Sequence, residues 1–242
     1  MSESARKTLD RAISRAGAMS RKQAQDAIAA GRVRVNGLRV FAADEWVDLA
    51  RDAITIDGAR LYEEKRIYLA LHKPIGYVTT RDDERERRTV YEFLGDVTVW
   101  VAPVGRLDRD TSGLLLFTNN SDFAEQITNP ASHLPKTYAC LARGALTDDQ
   151  LDRLRHGVKL DDGPTRPARV QRIADERGNT RIELTIDEGR NRQIRRMLEA
   201  IDSRVLELQR TAIGPVKLGN LASGVHRKLT FKEVQALVPK PR

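Results

Sequence analysis

The stretch of residues 104–118 constrains the fold of this chain most, because it begins as a charged loop and ends as an apolar run. Gly105 and Gly113 bracket the loop, and glycine adopts backbone angles that other residues avoid. Residues 114–117 are apolar and bounded by turn residues, which predicts a short buried strand. Asp108 therefore lies a few residues before a rigid buried element, in a kind of loop that commonly carries chemistry. A surface turn with solvated charges fits this pattern equally well.

The charge balance favours a polyanionic partner. Lys and Arg number 42 against 34 Asp and Glu, which gives a formal net charge of +8 over 242 residues. Nucleic acid is the common partner for such a surplus, although plain solubility is an alternative. The length allows one or two domains with a sizeable core. A charged fraction of 31% and a hydrophobic fraction of 40% are ordinary for a soluble protein.

Several classes of protein are disfavoured. Cys140 is the only cysteine, so no internal disulfide can form, and its strand-like surroundings predict a buried structural thiol. No apolar run reaches the roughly 18 residues of a membrane helix. The polar residues 1–6 lack the apolar core of a secretion signal, so we expect a cytoplasmic protein without membrane contact. The four histidines are scattered without ligand spacing, so we expect no metal site.

A small basic module opens the chain. Residues 8–17 have helical periodicity, and Ser20 with Gln23 forms a capping box for a second helix. Asn36-Gly37 between alternating apolar residues predicts a hairpin. Residues 1–40 hold nine Lys or Arg against three Asp or Glu. Such clustering suits phosphate contacts, although a solvated helix face is the alternative. The clustered basic residues are Arg15, Arg21, Lys22, Arg32 and Arg34.

The order of these elements resembles the alpha-L RNA-binding domain, also called the S4 domain. The motifs that carry the resemblance are Ala-Gly-Ala-Met-Ser-Arg-Lys-Gln-Ala and Ala-Gly-Arg-Val-Arg-Val-Asn-Gly, within residues 8–56. The resemblance implies that residues 1–60 form an RNA-binding domain and that its basic cluster contacts RNA.

A larger domain follows a short polar linker. We assign the linker to residues 61–66 and the second domain to residues 67–242. Strands and helices mix there without strict β-α-β alternation, which predicts an α+β domain with a mixed, largely antiparallel sheet. Capping boxes at Thr147 and Thr230 predict two further helix starts.

Three groups of residues in this domain could carry chemistry. The first is Gly105-Arg106-Leu107-Asp108, and the second is Lys136-Thr137-Tyr138. The third is the basic helix start in residues 188–198, where a helix N-terminus and arginines both attract anions. The sequence contains no Ser-His-Asp spacing, P-loop or dinucleotide fingerprint.

Together these groups look like the motifs of the RNA pseudouridine synthases, in the branch that modifies ribosomal RNA. The matching motifs are Gly-Arg-Leu-Asp-x-x-Thr-Ser-Gly-Leu-Leu-Leu, Lys-x-Tyr, and Glu-Gly-Arg-Asn-Arg-Gln-Ile-Arg-Arg-Met. The tail Leu206-x-x-x-Arg210-x-x-Ile213-Gly214-Pro215 matches as well. The resemblance covers residues 8–238.

The resemblance implies an enzyme that isomerises uridine to pseudouridine without an added cofactor. The glycosidic bond breaks, the uracil rotates, and ring carbon five bonds to the sugar. Asp108 matches the essential aspartate of the family, acting as a nucleophile or as the base that removes a ribose proton; attack on the uracil ring is a third route. Arg195 would be the guanidinium partner of Asp108. Tyr138 would stack on the flipped base.

The resemblance also implies RNA contacts within the second domain. Arg106 would brace phosphate or fill the space vacated by the base, and Lys136 and Arg192 would contact RNA. Leu206 would belong to the apolar wall of the pocket, with an ordinary core position as the alternative.

The expected partner is ribosomal RNA or a pre-ribosomal particle, bound by a monomer. The residues Arg190-Asn191-Arg192-Gln193 favour large-subunit RNA, with small-subunit RNA as the alternative. Transfer RNA as substrate, or a non-catalytic RNA-binding assembly factor that keeps the fold, are further alternatives.

Overall fold

The computed structural model describes residues 6–62, 65–81, 83 and 85–238. Residues 1–5 of the polar N-terminus and residues 63–64 of the predicted linker lie outside the described residues. The chain forms two compact units. The first comprises the described part of Met1–Tyr68 together with Gly95–Ala102 and Phe117–Phe123, and the second comprises the described part of Leu69–Leu94, Pro103–Leu116 and Ala124–Arg242. The domain limits 1–60 and 67–242 stay a prediction.

Seventeen strands are found in the described residues. They are β1 (Lys7–Thr8), β2 (Val33–Val35), β3 (Leu38–Arg39), β4 (Trp46–Val47), β5 (Ile54–Ile56), β6 (Ala59–Arg60), β7 (Tyr68–Lys73), β8 (Ala102–Val104), β9 (Ser112–Thr118), β10 (Lys136–Ala142), β11 (Lys159–Leu160), β12 (Gly163–Pro164), β13 (Arg169–Glu176), β14 (Asn179–Ile186), β15 (Val205–Ile213), β16 (Val216–Lys217) and β17 (His226–Lys228).

The α-helices of the described residues are α1 (Leu9–Arg15), α2 (Arg21–Ala29), α3 (Ser121–Thr128), α4 (Asp148–His156), α5 (Gln193–Glu199) and α6 (Phe231–Leu237). The capping boxes predicted at Ser20, Thr147 and Thr230 are confirmed, because in each the hydroxyl accepts from the third helical N–H while that residue's side chain accepts from the cap N–H. None of the described helices is long and apolar enough to cross a membrane.

The first unit is held together by an apolar core and one buried carboxylate. Leu9, Ile13 and Ile28 are fully buried between its helices and strands. Asp10 is 2% exposed. It accepts hydrogen bonds from the Arg21 guanidinium at 2.6 Å and the Gln25 amide at 2.7 Å. These bonds join α1 to α2.

The electrostatics of Asp10 follow from this contact set. Burial alone raises the pKa of its carboxyl, but hydrogen bonds from Thr8, Arg21, Gln25 and the Arg11 N–H outweigh burial and lower that pKa to about 2. A carboxylate that accepts several hydrogen bonds stays ionised.

The predicted hairpin at Asn36-Gly37 is confirmed between β2 and β3, with φ angles of 51° and 85° that suit this turn.

The second unit is built on a mixed sheet, which confirms the predicted α+β class. Nine strands take part, with the order β13-β14-β10-β15-β9-β7-β17, while β16 pairs with β15 and β8 pairs with β9. β15 and β9 are parallel, and β10 is antiparallel to both β14 and β15. The apolar residues 114–117 lie in β9 and are fully buried, as predicted.

Two bulges set the side-chain register of β15 against β10. Tyr138 pairs with Arg210 and Thr137 pairs with Ala212, so Thr211 is the extra residue of the first bulge. Leu206 is the extra residue of a second bulge near the other end of the pairing. Bulges re-aim side chains. Tyr138 and Arg210, as cross-strand partners, therefore project from the same face of the sheet.

One face of this sheet carries the main core of the second unit. The predicted buried thiol at Cys140 is confirmed, and burial raises its pKa to about 12. Leu151 and Leu154 of α4, with Met197 and Leu198 of α5, are buried in the same apolar cluster. The cluster fixes α5 against the sheet, and α5 carries Arg195.

Candidate active site

The loop of residues 105–111, here called the Asp108 loop, is clamped by the segment that follows β7. The Gly76 N–H donates to the Arg109 carbonyl at 2.7 Å. The Thr79 hydroxyl donates to the Leu107 carbonyl at 2.8 Å and accepts from the Leu107 N–H at 3.2 Å. Both contacts hold the backbone on either side of Asp108, so the carboxylate stands on a fixed loop rather than on a free surface turn.

A buried lysine fixes the end of the Asp108 loop. Lys73 is fully buried, and its ammonium donates to the carbonyls of Thr111 at 2.7 Å and Pro74 at 2.9 Å. Burial lowers the pKa of Lys73 to about 8, although the nearby carboxylates of Asp108 and Asp110 act in the opposite direction. Lys73 therefore places a positive charge beneath the loop at neutral pH.

Arg195 contacts the Asp108 loop through Asp110 rather than through Asp108. Its Nη2 lies 2.9 Å from the Asp110 carbonyl oxygen and 3.1 Å from the Asp110 carboxylate. The expectation that Arg195 pairs directly with Asp108 is therefore wrong for this structure. The Arg195 side chain is 12% exposed, and such a charge-assisted contact in a largely buried place fixes geometry well.

Arg192 approaches both carboxylates of the loop from the start of α5. Its Nη1 lies 3.2 Å from the Asp110 carboxylate and 3.9 Å from the Asp108 carboxylate. Arg192 has a left-handed backbone, with φ of 47°, which turns the chain into the helix. The Asp108 carboxylate is one-third exposed, so it is held in place yet accessible.

Asp108 opens into a pocket of about 460 Å³ in the second unit. Its lining includes Tyr138, Arg195, Leu208, Arg210 and Ile213. The Tyr138 ring is half-buried, and its hydroxyl bonds to no described residue. The three residues predicted to be catalytic thus meet at one pocket, where an aromatic face, an apolar wall and a carboxylate surround a space for a small planar group.

The other predicted contacts of this unit lie around the same pocket. Arg106 is exposed at the rim, and Lys136 is half-buried in the wall. Burial lowers the pKa of Lys136, and the charge of Arg210 acts in the same direction. Leu206 is 44% exposed and does not line the pocket, whereas Leu208 is 6% exposed and does. The apolar wall is therefore made by Leu208, because a bulge turns Leu206 away.

Most of the predicted RNA contacts of the first unit have protein partners. Arg15 lies 2.9 Å from the Asp122 carboxylate, and Arg21 lies 2.6 Å from that of Asp10. The remaining contacts are Arg32 to Asp57 and Arg34 to the Gly37 carbonyl, while Lys22 is exposed without a partner among the described residues. Arg21 and Arg32 keep about half of their side-chain surface exposed.

Several residues of the site had no assigned role from sequence. They are Lys73, Thr79, Leu208 and Arg210. Lys73 could have been found as a lysine that ends a strand with an apolar centre, Leu69-Ala70-Leu71. Thr79 carries no signal in the sequence, because its contact with Leu107 depends on tertiary structure. Among the described residues, no group of three or more His, Cys, Asp or Glu side chains is placed to hold a metal ion.

The fold and this site define an RNA-modifying enzyme with an added RNA-binding module. A family profile described as RNA pseudouridylate synthase matches residues 67–200, and the S4 domain profile matches residues 7–41. The chain therefore belongs to the RNA pseudouridylate synthase family, and it is an RNA pseudouridine synthase.

Full-length relatives place the chain more closely within this family. It is 38% identical over 231 residues to ribosomal large subunit pseudouridine synthase B of Bacillus subtilis, covering 95% of this chain and 94% of the relative. A protein of the same name from Pseudomonas aeruginosa is 37% identical, covering 95% of this chain and 61% of the relative. A crystal structure of a pseudouridylate synthase aligns with a TM-score of 0.68 at 33% identity, covering 96% of this chain and 99% of that chain.

Proposed function

We propose that this enzyme converts a uridine of large-subunit ribosomal RNA into pseudouridine, and that Asp108 starts the cleavage of the C1′–N1 bond. The observation that carries the proposal is the placement of Asp108. Its carboxylate is clamped on a loop at a pocket that also presents Tyr138 and Leu208. A flipped uracil needs an aromatic face for stacking and an apolar wall that excludes water.

Each predicted residue has a role in this proposal. Tyr138 stacks on the flipped base. Arg195 fixes the loop that carries Asp108 by holding Asp110. Arg106, exposed at the rim of the pocket, contacts RNA phosphate, and Lys136, half-buried in the pocket wall, contacts the flipped nucleotide.

In this proposal Arg192 links the RNA to the two carboxylates of the Asp108 loop. It is half-exposed and within 3.9 Å of Asp108. An exposed guanidinium can contact a phosphate next to the target nucleotide while it holds the Asp110 carboxylate of the loop at 3.2 Å. It therefore belongs to the proposed RNA contacts rather than to the bond-breaking step.

The first unit provides the general RNA anchor in this proposal. Phosphate contacts position a protein without reading sequence, and they weaken as salt rises. Lys22 is the free cation of the predicted cluster among the described residues. The other cations of the cluster would each have to contact phosphate in addition to their present protein partner. They are Arg15, Arg21, Arg32 and Arg34.

The choice of large-subunit RNA rests on the names of two relatives. Small-subunit RNA is the second candidate. It rests only on the resemblance to the branch of the family that modifies ribosomal RNA. We further propose that the enzyme works as a cytoplasmic monomer on ribosomal RNA or a pre-ribosomal particle. Light scattering of the purified protein and fractionation of cells test these two points.

The decisive experiment incubates the purified enzyme with large-subunit and small-subunit ribosomal RNA and maps pseudouridine in each. We expect one new pseudouridine in large-subunit RNA, and none with Asp108→Asn. Asp149→Asn is the matched control, since Asp149 is exposed on α4 away from the pocket, and it should retain activity. A new pseudouridine only in small-subunit RNA would refute the substrate assignment, and full activity of Asp108→Asn would refute the role of Asp108.

A further inference from the structure

Arg210 is a buried cation at the pocket with one unused hydrogen-bond donor. It is 5% exposed and lies beside Tyr138 across the strands β15 and β10. Its Nε donates to the Leu114 carbonyl at 2.7 Å, and its Nη1 lies 3.5 Å from the Arg106 carbonyl. Its Nη2 is buried without a hydrogen-bond partner in the described part of the chain. A buried donor without an acceptor is unfavourable and requires an explanation.

The charge of Arg210 is also uncompensated. Within the described residues of the second unit, no carboxylate forms an ion pair with Arg210, Lys73 or Lys136, although all three are buried or half-buried. Arg210 and Lys136 both line the pocket. The charge of Arg210 lowers the pKa of both lysines, whereas Asp187 raises that of Lys136 and Asp108 and Asp110 raise that of Lys73. Burying a charge without a partner is unfavourable even after the surroundings relax. A neutral side chain could donate to the Leu114 carbonyl without that cost.

The reaction supplies the missing anion. When the C1′–N1 bond breaks, its electron pair leaves with N1, and the uracil becomes an anion with charge spread over N1, O2 and O4. This holds whether Asp108 bonds to C1′ or takes the proton from C2′. Carbon five then bonds to C1′, while either the bond between Asp108 and C1′ breaks or Asp108 returns its proton to C2′. A base takes the proton on carbon five, and N1 gains a proton. The product is an isomer with no net charge change.

We infer that Arg210, with Lys136 beside it, stabilises the uracil anion released when the C1′–N1 bond breaks. The inference rests on the proposed function of this pocket. Fixed cations aimed at developing charge lower a barrier most effectively where water is excluded. Arg210 meets this condition, because the bulge at Thr211 places it on the Tyr138 face and burial keeps it fixed.

The test compares two RNAs that differ only at the target nucleotide, which is uridine in one and 5-fluorouridine in the other. Fluorine withdraws electrons, so the fluorinated uracil is the better leaving anion and needs less stabilisation. Single-turnover loss of the parent nucleoside, measured by digestion and chromatography with mass detection, reports C1′–N1 cleavage. We expect Arg210→Gln to slow cleavage of the uridine RNA about 100-fold or more, and that of the 5-fluorouridine RNA at least ~10-fold less severely. Arg210→Lys, which keeps the charge, should fall between the wild type and Arg210→Gln.

Thr79→Val is the matched control, because Thr79 acts on the position of Asp108 and not on the leaving group. Thr79→Val should slow cleavage of the C1′–N1 bond in both RNAs by the same factor. If Arg210→Gln slows cleavage of both RNAs by the same factor, with unchanged melting temperature and RNA affinity, Arg210 is only structural. If Arg210→Gln does not fold, the same comparison is made with Lys136→Gln, a variant of the half-buried pocket wall. If Lys136→Gln slows cleavage of both RNAs by the same factor, the inference is overturned. Failure of the wild type on the uridine RNA would instead refute the proposed function.

Discussion

The guanidinium of Arg195 holds Asp110, at 2.9 Å from its carbonyl oxygen and 3.1 Å from its carboxylate, and so reaches Asp108 only through the loop backbone. The Asp108 carboxylate is left free of a close ion pair among the described residues, with Arg192 the nearest guanidinium at 3.9 Å. Arg195 thus positions the loop through Asp110, whereas Arg192 is the guanidinium that approaches the Asp108 carboxylate.

Asp110→Asn should reduce single-turnover pseudouridine formation about 10- to 100-fold. The substitution removes the charge that holds Arg195 and Arg192, and a charge-assisted hydrogen bond contributes about 1.5–3 kcal/mol. RNA affinity should not fall, because a negative charge near the RNA is lost. Asp149→Asn serves as the charge-matched control on the surface. A wild-type rate for Asp110→Asn would mean that the Arg195 contact does not position Asp108.

Thr79→Val should lower the turnover number about tenfold with little change in KM. Valine keeps the shape of threonine but removes both hydrogen bonds to Leu107, the residue before Asp108. One hydrogen bond contributes about 1 kcal/mol, and a tenfold rate change corresponds to roughly 1.4 kcal/mol. Steady-state kinetics of Thr79→Val and Thr79→Ser give the answer. Serine should restore most of the rate, and a serine variant as slow as the valine variant would exclude the hydroxyl as the cause.

Gly113→Ala should destabilise the second unit by more than about 3 kcal/mol. A Cβ at Gly113 would lie 2.3 Å from the Arg210 carbonyl oxygen and 2.5 Å from its nitrogen, and φ is 108°. Gly144→Ala is the control, since its φ of 89° is also positive but no atom lies within 4 Å of the added Cβ. It should cost only about 1 kcal/mol of backbone strain. Urea unfolding measures the free energy of unfolding of both variants. Similar losses of stability would show that the close approach of the Arg210 backbone is not what requires glycine at position 113.

The stability difference between the wild type and Lys73→Met should depend on alkaline pH. The pKa of Lys73 is lowered from 10.5 to about 8 by burial. Between these values the unfolded state binds more protons than the folded state, so the free energy of unfolding of the wild type should rise with pH by up to about 3 kcal/mol. Lys73→Met lacks this rise. Urea unfolding at pH 7.5, 9 and 10.5 measures the difference, and parallel pH curves would contradict a depressed pKa.

Asp10→Asn should weaken the first unit at neutral pH, with a loss that fades in acid. The folded pKa of Asp10 is about 2, below its ordinary 3.8. Its contribution of up to about 2.5 kcal/mol is therefore present above pH 4 and is lost as the pH falls toward 2. Unfolding followed by the circular dichroism of wild type and variant at pH 7 and pH 3 tests this. A gap that does not narrow between these values would show that ionised Asp10 does not support the contact between α1 and α2.

Local features of the fold were predictable because they depend on neighbouring residues. The capping boxes at Ser20, Thr147 and Thr230 and the hairpin at Asn36-Gly37 each follow from side chains within four positions of one another. The buried strand after Asp108 follows from a short apolar run. The first helix is shorter than its periodic pattern, since it ends at Arg15 and Gly17 has a left-handed backbone with φ of 82°.

The sequence by itself determined the local elements and the family, and it predicted Asp108 as the catalytic residue. Only the tertiary structure decided which groups surround it. Arg195 and Asp110 are 85 residues apart, and Thr79 and Leu107 are 28 apart, so their contacts depend on how distant segments pack. The bulge that places Arg210 beside Tyr138 adds one unpaired residue to a strand, and a one-residue shift changes which face a side chain takes. No local pattern encodes that shift, because it arises from pairing between strands.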